Sequence, residues 1–474
     1  MQTDHTDCDI IMKSWHFVGI CGIGMSALAQ FARACNIEVS GSDRALDNPE
    51  NAALKAMLQA QDIKLFPQDG SRFASGAAAD AVVYSTAIEE SNPDFAASQN
   101  VQRLHRATAL KELIKLRCNS GKLSVAVAGT CGKTSTTAII SEALHNANAD
   151  PECINGGMIK AFQSSCFPGN YRPGSGAIVF EADESDKSLL EFHPDYALVL
   201  NIGTDHYPKD ELVKMFAQFV NQCQQGAVLE KEVYELIREQ IKPDLAIKVF
   251  SAANDDSHWC VGAYKNQHGR SLAQFNDQTW YELPSPGKHT ALNTAAAAAL
   301  LELLGHTPEL ALNYAINTHG VARRFDFKGK TPSGAAVYDD YAHNPEKVAT
   351  IISAAQEVAG DGKVLAFFQP HGYGPFGFMA SELGRKAAAL LRQQDQLFLA
   401  EPYYAGGSSS FSPHASEVFE QWKKLYPAMP LTLVQNRAEL KIQLRNKAGK
   451  GDVILIMGAR DNTLAEFASE LTRI

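Results

Sequence analysis

One segment restricts the possible folds of this chain more than any other. An apolar run, Leu123 to Ala128, leads into Gly129-Thr130-Cys131-Gly132-Lys133-Thr134 and then into a helical pattern ending near Asn146. Gly129 and Gly132 let backbone N–H groups turn inward as an anion nest, and the following helix aims its positive end at the same point. Lys133 adds a charge for the β- and γ-phosphates of a nucleotide, and the Thr134 hydroxyl is placed to hold Mg²⁺. The usual motif has glycine five residues before the glycine of GKT; Val127 stands there, so the loop is a shortened variant. An ordinary glycine turn is the competing reading. A strand feeding such a loop and helix calls for an α/β sheet.

The rest of the chain extends that pattern. A length of 474 residues predicts two or three domains. The first segment reads as a strand at His16 to Ile20, a helix from Met25 to Cys35 and a strand ending at Val39 to Asp43, with a further strand at Ala81 to Ser85. Arg117 to Gly121 reads as a linker. Beyond the phosphate loop come strands at Ala177 to Phe180 and Tyr196 to Leu200. Helical patterns cover Asp210 to Gln224 and Ala291 to Leu304, where the alanine run suits a buried helix. The third segment has strands at Ala335 to Tyr338, Val364 to Phe368, Gln396 to Leu399 and Val453 to Met457. Helical periodicity covers Pro345 to Ala359 and Ser381 to Leu391. Strand–helix alternation throughout predicts a three-domain α/β protein.

Composition excludes some function classes. A formal charge of −10 argues against nucleic-acid and anionic-membrane partners, which need a large basic surface. The nine cysteines are scattered and form no C-x-x-C pair, as expected of reduced thiols in a cytoplasmic protein. The N-terminus does not read as a signal peptide, and no apolar stretch approaches the length of a membrane span.

Two further patterns lie at strand ends, where α/β sheets bind ligands. Glu181-Ala182-Asp183-Glu184-Ser185-Asp186 crowds carboxylates that repel one another unless cations neutralise them, although a solvated acidic turn would look the same. The next strand ends in Asn201-Ile202-Gly203-Thr204-Asp205-His206, which gives His206 a metal or phosphate role beside the acidic turn. Near the N-terminus, Gly22-Ile23-Gly24-Met25-Ser26-Ala27 matches a loose G-x-G-x-x-A turn, and Asp43 lies about twenty residues on, where a ribose-binding acid belongs. Two nucleotide-type turns in one chain fit an enzyme that holds a nucleotide-linked substrate and ATP.

Taken in order, these motifs resemble the Mur ligase family, which builds the peptide stem of bacterial cell-wall precursors. The resemblance runs from about residue 15 to the C-terminus. Its motifs are the GTxGKT loop, the EADESD turn, Asp205-His206, Pro286 to Asn293, Arg323-Arg324-Phe325 and Asp339 to Pro345. Gly19 to Met25, Gly41-Ser42-Asp43, Phe368-Gln369-Pro370-His371 and Met457 to Asp461 resemble the members that add L-alanine to UDP-N-acetylmuramate. Members that recycle a tripeptide come next.

The resemblance implies three domains. Residues 1–117 form a Rossmann-like UDP-sugar domain, 118–322 a central P-loop ATPase-like domain with a mostly parallel sheet, and 323–474 a Rossmann-like domain that seats the amine and closes over ATP. It implies an ATP-dependent, Mg²⁺-requiring amide-bond ligase of peptidoglycan synthesis, working through an acyl phosphate as a monomer or weak homodimer. UDP-N-acetylmuramate and an amino acid or short peptide are the implied substrates. Gly22, Gly24, Met25, Ser42, Asp43, Ser85, Thr86, Asp183, Glu184, Ser185, His343 and His371 would bind them. ATP would meet Gly129, Thr130, Gly132, Lys133, Thr134, Ser135, His289, Asn293, Arg324 and Asp340. Thr134, Glu181 and His206 would hold metal, with Lys133, Glu181 and His206 catalytic.

Three departures stand out. Cys131 replaces the usual histidine of the loop, Thr290 replaces asparagine beside His289, and the usual HRYSR run reads His371-Gly372-Tyr373-Gly374-Pro375. Two arginines are therefore missing where the third domain would hold a carboxylate. The amine thus stays open between L-alanine and a tripeptide or another amine. Readings outside the family are a P-loop ATPase without ligase activity and an NAD-dependent oxidoreductase.

Overall fold

The computed structural model describes residues 13–74, 79–184, 187–203, 207–267, 270–404 and 411–473. The chain forms two compact units. One runs to Ser251 and adds Asp255–Cys260 and Asn293–His319; the other comprises Ala252–Asn254, Val261–Leu292 and the chain from Gly320 onward.

The first unit contains two sheets. The N-terminal one uses β1 (Ser14–Val18), β2 (Glu38–Ser42), β3 (Lys64–Phe66), β4 (Ala81–Tyr84) and β5 (Gln102–His105). Its order is β3-β2-β1-β4-β5, parallel throughout. The order reverses between β1 and β4, so their carboxyl ends frame the crevice where such sheets bind ligands. Close packing explains one residue of the Gly41-Ser42-Asp43 motif: a Cβ on Gly41 would stand 2.5 Å from Ile20 Cδ1.

The second sheet of this unit holds β6 (Ser124–Ala128), β7 (Glu152–Ile154), β8 (Tyr171–Arg172), β9 (Ile178–Glu181), β10 (Tyr196–Val199), β11 (Gly226–Glu230) and β12 (Ala246–Ser251). These run β12-β11-β10-β6-β9-β7-β8, parallel except for β8. Central β6 (SVAVA) is buried at every position, as a parallel strand covered on both faces must be. On the helix Lys288–Leu303, Ala295 to Ala299 are all fully buried, as the alanine run predicts. The linker reading of Arg117 to Gly121 is corrected in part. The helix Arg106–Asn119 takes in its first three residues, and Arg117 pairs with buried Glu152 at 3.1 Å. One apolar core runs from Trp15 to Ile237 through both sheets of the unit.

The second unit opens with residues from Val261 of β13 (Trp259–Gln267). These pair antiparallel with β14 (Arg270–Phe275), which pairs with β15 (Trp280–Glu282). Its main sheet has β16 (Asp326–Lys330), β17 (Ala336–Asp340), β18 (Val364–Phe368), β19 (Gln396–Ala400), β20 (Leu431–Val434) and β21 (Val453–Met457). The order is β16-β17-β21-β18-β19-β20, with β16 alone antiparallel. The helix Pro345–Ala359 spans the residues its periodicity predicts. The next helix, Tyr373–Leu390, begins eight residues before the expected Ser381, because the glycine-rich stretch after His371 coils into it.

Candidate active site

The phosphate loop has the geometry its glycines allow. Gly129 and Gly132 sit at φ +132° and +91°, and Gly132 caps the helix Lys133–Asn146. The loop is braced from the end of β10. Asn201 accepts from the Cys131 N–H and donates to the Cys131 carbonyl, both at 2.9 Å. The Gly203 N–H donates to Thr130 Oγ1 at 2.8 Å. Cys131 is exposed, and Ser135 is half-buried in the first helical turn. A Cβ on Gly132 would meet Asn293 Oδ1 at 3.3 Å, so Asn293 flanks the loop.

Lys133 is surrounded by acid. Its Nζ donates to Glu184 at 2.6 Å and to the Gly129 carbonyl at 2.7 Å, with Asp183 at 3.7 Å. Burial alone would depress the ammonium, but Glu184, Asp183 and Glu181 outweigh it and raise its pKa. Lys133 is therefore a permanent cation. Thr134 donates to Glu181 Oε2 at 3.0 Å, while Glu181 Oε1 accepts from the Gly156 N–H at 2.6 Å. A hydroxyl beside a carboxylate is the hard-oxygen donor set that Mg²⁺ takes. His206 and Ser185 lie outside the described residues. Among those described, no cluster of three or more His, Cys, Asp and Glu could hold a metal.

One cavity of about 130 Å³ joins the two nucleotide-type turns. Gly24 from the first turn, Lys133 from the phosphate loop, and Glu181 and Asp183 from the acidic turn all line it, with Arg106, Asn155 and Gly156. Arg106 reaches Asp183 at 3.3 Å. Arg106 and Asn155 are functional candidates that sequence reasoning missed, while Asn201 belongs to the strand-end run it singled out. For Arg106 a signal existed: it follows β5 directly, at the edge that carries Ser85 and Thr86.

The remaining N-terminal candidates divide. Asp43 accepts from the Cys21 N–H at 2.9 Å and the Ala45 N–H at 2.8 Å, tying the end of β2 to the glycine turn. Gly22 caps the first helix, Met25 is buried inside it, and Ser85 and Thr86 lie at the end of β4. Ser42 is fully buried, its hydroxyl donating to Asp94 and lying 3.3 Å from His16 Nε2. Burial lowers His16 against the opposing pull of Asp94.

The other candidates belong to the second unit. Burial holds His289 at about pKa 4, and Gly287 leaves it room: a Cβ there would stand 2.4 Å from the ring. Neighbouring Thr290 donates to the Pro286 carbonyl. Asp340 is buried and accepts from the Phe325 and Ala342 N–H groups, each at 2.7 Å. Arg324 lies 5.2 Å from the Tyr341 ring. His343 meets His371 edge to face at 5.1 Å, and burial lowers both, His343 to about 3.

Family models match along the chain: the catalytic domain of the Mur ligase family at residues 14–117, the Mur ligase middle domain at 127–301, and the Mur ligase glutamate ligase domain at 323–460. The UDP-N-acetylmuramate–L-alanine ligase of Renibacterium salmoninarum is 32% identical over 96% of this chain and 94% of its own. That of a Bradyrhizobium species is 31% identical over 96% of each. Among solved structures, the UDP-N-acetylmuramate–alanine ligase of Thermotoga maritima superposes with a TM-score of 0.77 at 25% identity, covering 97% of this chain and 98% of that one. The murein peptide ligase of Psychrobacter arcticus has a TM-score of 0.66 at 21% identity over 97% and 98%. With three family segments in order and full-length relatives on both counts, this chain belongs to the Mur ligase family of ATP-dependent amide-bond ligases.

Proposed function

We propose that the chain joins the lactyl carboxylate of UDP-N-acetylmuramate to the amine of L-alanine, with ATP converted to ADP and phosphate. The cavity between the N-terminal glycine turn and Lys133 carries this reading, because it offers one space to a nucleotide-linked carboxylate and a γ-phosphate. A carboxylate oxygen attacks the γ-phosphorus and ADP leaves, giving an acyl phosphate. The neutral amine then attacks the acyl carbon, phosphate leaves and the nitrogen loses its extra proton, giving the amide.

Neither step needs a protein nucleophile. Both press anions together, so positioning and positive charge do the catalysis. Lys133 holds the transferring phosphoryl group, and Arg106 is the nearby cation from the N-terminal sheet. Thr134 and Glu181 would hold Mg²⁺, which when bound neutralises phosphate charge. The roles of Asp43, Ser85, Thr86, Asn293, Arg324 and the two C-terminal histidines follow the family motifs they occupy. The boundaries 1–117, 118–322 and 323–474 belong to this proposal, supported by the three matched family segments.

The test is phosphate release with ATP, Mg²⁺ and UDP-N-acetylmuramate, offering L-alanine, glycine, L-serine and the tripeptide in parallel. Turnover highest with L-alanine, and abolished by chelation, is expected. Release that ignores the amine would leave a plain ATPase, and exclusive use of the tripeptide would make the chain a recycling ligase.

A further inference from the structure

A carboxylate held by the glycine turn and a γ-phosphate held by Lys133 react only if the two turns keep a fixed separation. Asn170 stands at the junction between them. It immediately precedes β8 and is fully buried. Its Nδ2 donates to the Ile23 carbonyl at 2.7 Å and to Ser26 Oγ at 2.9 Å, and its Oδ1 accepts from Gln30 Nε2 at 3.1 Å. All three partners belong to the helix Ile23–Ala34, which Gly22 caps. The Ser26 hydroxyl in turn donates to the Gly22 carbonyl at 3.0 Å. Behind Asn170 the backbone is fixed. Its carbonyl accepts from the Asn155 N–H at 2.9 Å. Gly169 before it sits at φ +100°, where a Cβ would stand 2.6 Å from the Ile159 carbonyl oxygen. Gly156, next after Asn155, donates to Glu181, which accepts from Thr134 of the phosphate loop. Hydrogen bonds and backbone thus connect the glycine turn to the phosphate loop through Asn155, Gly156 and Glu181, all of which line the cavity. We propose that Asn170 is a positioning residue for the first chemical step: it fixes the glycine turn relative to the phosphate loop, so that carboxylate and γ-phosphate meet in line. This inference rests on the ligase reading above and concerns a residue that, being buried, touches neither substrate.

A buried amide is a demanding way to join two layers. It loses its water, and only a full set of partners offsets that loss, whereas an apolar side chain would fill the space without it. What the amide adds is direction. Apolar contacts such as Phe31 on Tyr171, with ring centroids 5.9 Å apart, tolerate sliding, while two N–H groups aimed at fixed acceptors do not. The sense of the amide is fixed as well, because Oδ1 in place of Nδ2 would set oxygen against the Ile23 carbonyl. Such direction matters most where reacting atoms must be aligned, since a misplacement of about an ångström can cost about a hundredfold in rate. Gln61 provides a contrast. Its Nε2 bonds Gln30 Oε1 at 3.0 Å and the Cys166 carbonyl at 2.8 Å, so it ties the first helix to the same β7–β8 connection without bonding the glycine turn.

Kinetics and calorimetry on the full chain separate positioning from mere support. Asn170→Asp keeps the size of the side chain and replaces its donor by an acceptor, and Ser26→Ala, the milder change, removes one of the two acceptors. Asn170→Asp is expected to lower kcat for amine-dependent phosphate release about tenfold to a hundredfold. Ser26→Ala should lower it about threefold to tenfold. The dissociation constants for ADP and for UDP-N-acetylmuramate should stay within about threefold of wild type, because each ligand keeps its own turn. Gln61→Ala should keep kcat within about twofold, whatever it does to the melting temperature. A kcat within about twofold of wild type in Asn170→Asp, or in Ser26→Ala should Asn170→Asp fail to fold, overturns the inference and leaves the ligase reading intact. Weaker UDP-N-acetylmuramate binding with kcat unchanged overturns it too, since Asn170 would then support the binding turn alone. So does a loss of kcat in Gln61→Ala as large as that in Asn170→Asp. A wild type without any amine-dependent turnover removes the ligase reading, and this inference with it.

Discussion

Lys133 shows how a single residue was legible in advance and where legibility stopped. Its place after Gly132 and before a helix is a local pattern, so its phosphate role could be read directly. Its partners Glu184 and Asp183 come from another strand end, and only the fold shows that they meet the ammonium. Lys133→Ala is expected to abolish ADP formation while leaving UDP-N-acetylmuramate binding within a few-fold of wild type. Calorimetric titration beside an ADP assay checks this, and unchanged turnover would remove Lys133 from the mechanism. Asp339 gives a second test at this scale. It is fully buried, both carboxylate oxygens lack a hydrogen-bond donor among the described residues, with Arg323 Nε at 3.4 Å, and burial pushes it to about pKa 6 despite Arg323 and Lys328. The folded state therefore holds its proton above the ordinary carboxylate value of about 3.9. Stability from this group is fully present below that value and is lost as pH rises through about 6, on the order of 3 kcal/mol in all. Asp339→Asn stays neutral, so its stability relative to wild type should rise with pH across this window. Urea midpoints at about pH 4.5 and about pH 7.5 measure it, and parallel pH dependence in the two proteins would refute it.

Among the elements, long periodic segments were legible and their contacts were not. The helix Pro345–Ala359 was readable because its apolar spacing repeats and Asn344 with Pro345 marks its start. The start of the helix at Tyr373 was hidden by Gly372, Gly374, Pro375 and Gly377, which locally argue for a loop. Tertiary packing overrides that preference, burying Tyr373 and Phe376. Gly384 in the same helix shows why propensity misleads. Alanine would favour the helix by about 1 kcal/mol. A Cβ there, however, would stand 2.5 Å from the indole Nε1 of buried Trp422, which donates to the Ala380 carbonyl at 3.0 Å. Gly384→Ala should therefore destabilise the second unit by about 1–3 kcal/mol. Chemical denaturation reads this, and a stabilised variant would show that Trp422 gives way. Short edge strands such as β3, β8 and β15 escaped notice because three residues or fewer carry no period.

For the molecule as a whole, the cores decide which parts can stand alone. The apolar core that begins at Trp15 continues to Ile237, with Phe31 stacked on Tyr171 at 5.9 Å and Asn170 bonding the Ile23 carbonyl and Ser26. Among the described residues, two cores of the C-terminal sheet draw on side chains between Phe325 and Leu471. A fragment of residues 323–474 should unfold cooperatively by itself. One of residues 1–117 should bind a hydrophobic dye and unfold at lower urea than residues 1–322, since the cut strips its first helix of apolar partners. Equal midpoints for the two N-terminal fragments would contradict this. What the sequence determined alone was local: the strand–glycine–helix chemistry of the phosphate loop, the α/β alternation and the order of the family motifs. Each rests on neighbours along the chain, where steric and hydrogen-bonding rules act without help from distant residues. Only the tertiary structure decided that Arg106 faces Asp183 across 77 residues of sequence, that Gly24 and Lys133 share a cavity, and that Asn170 reaches the Ile23 carbonyl. Strand register and burial set those meetings, and both depend on how the whole sheet packs.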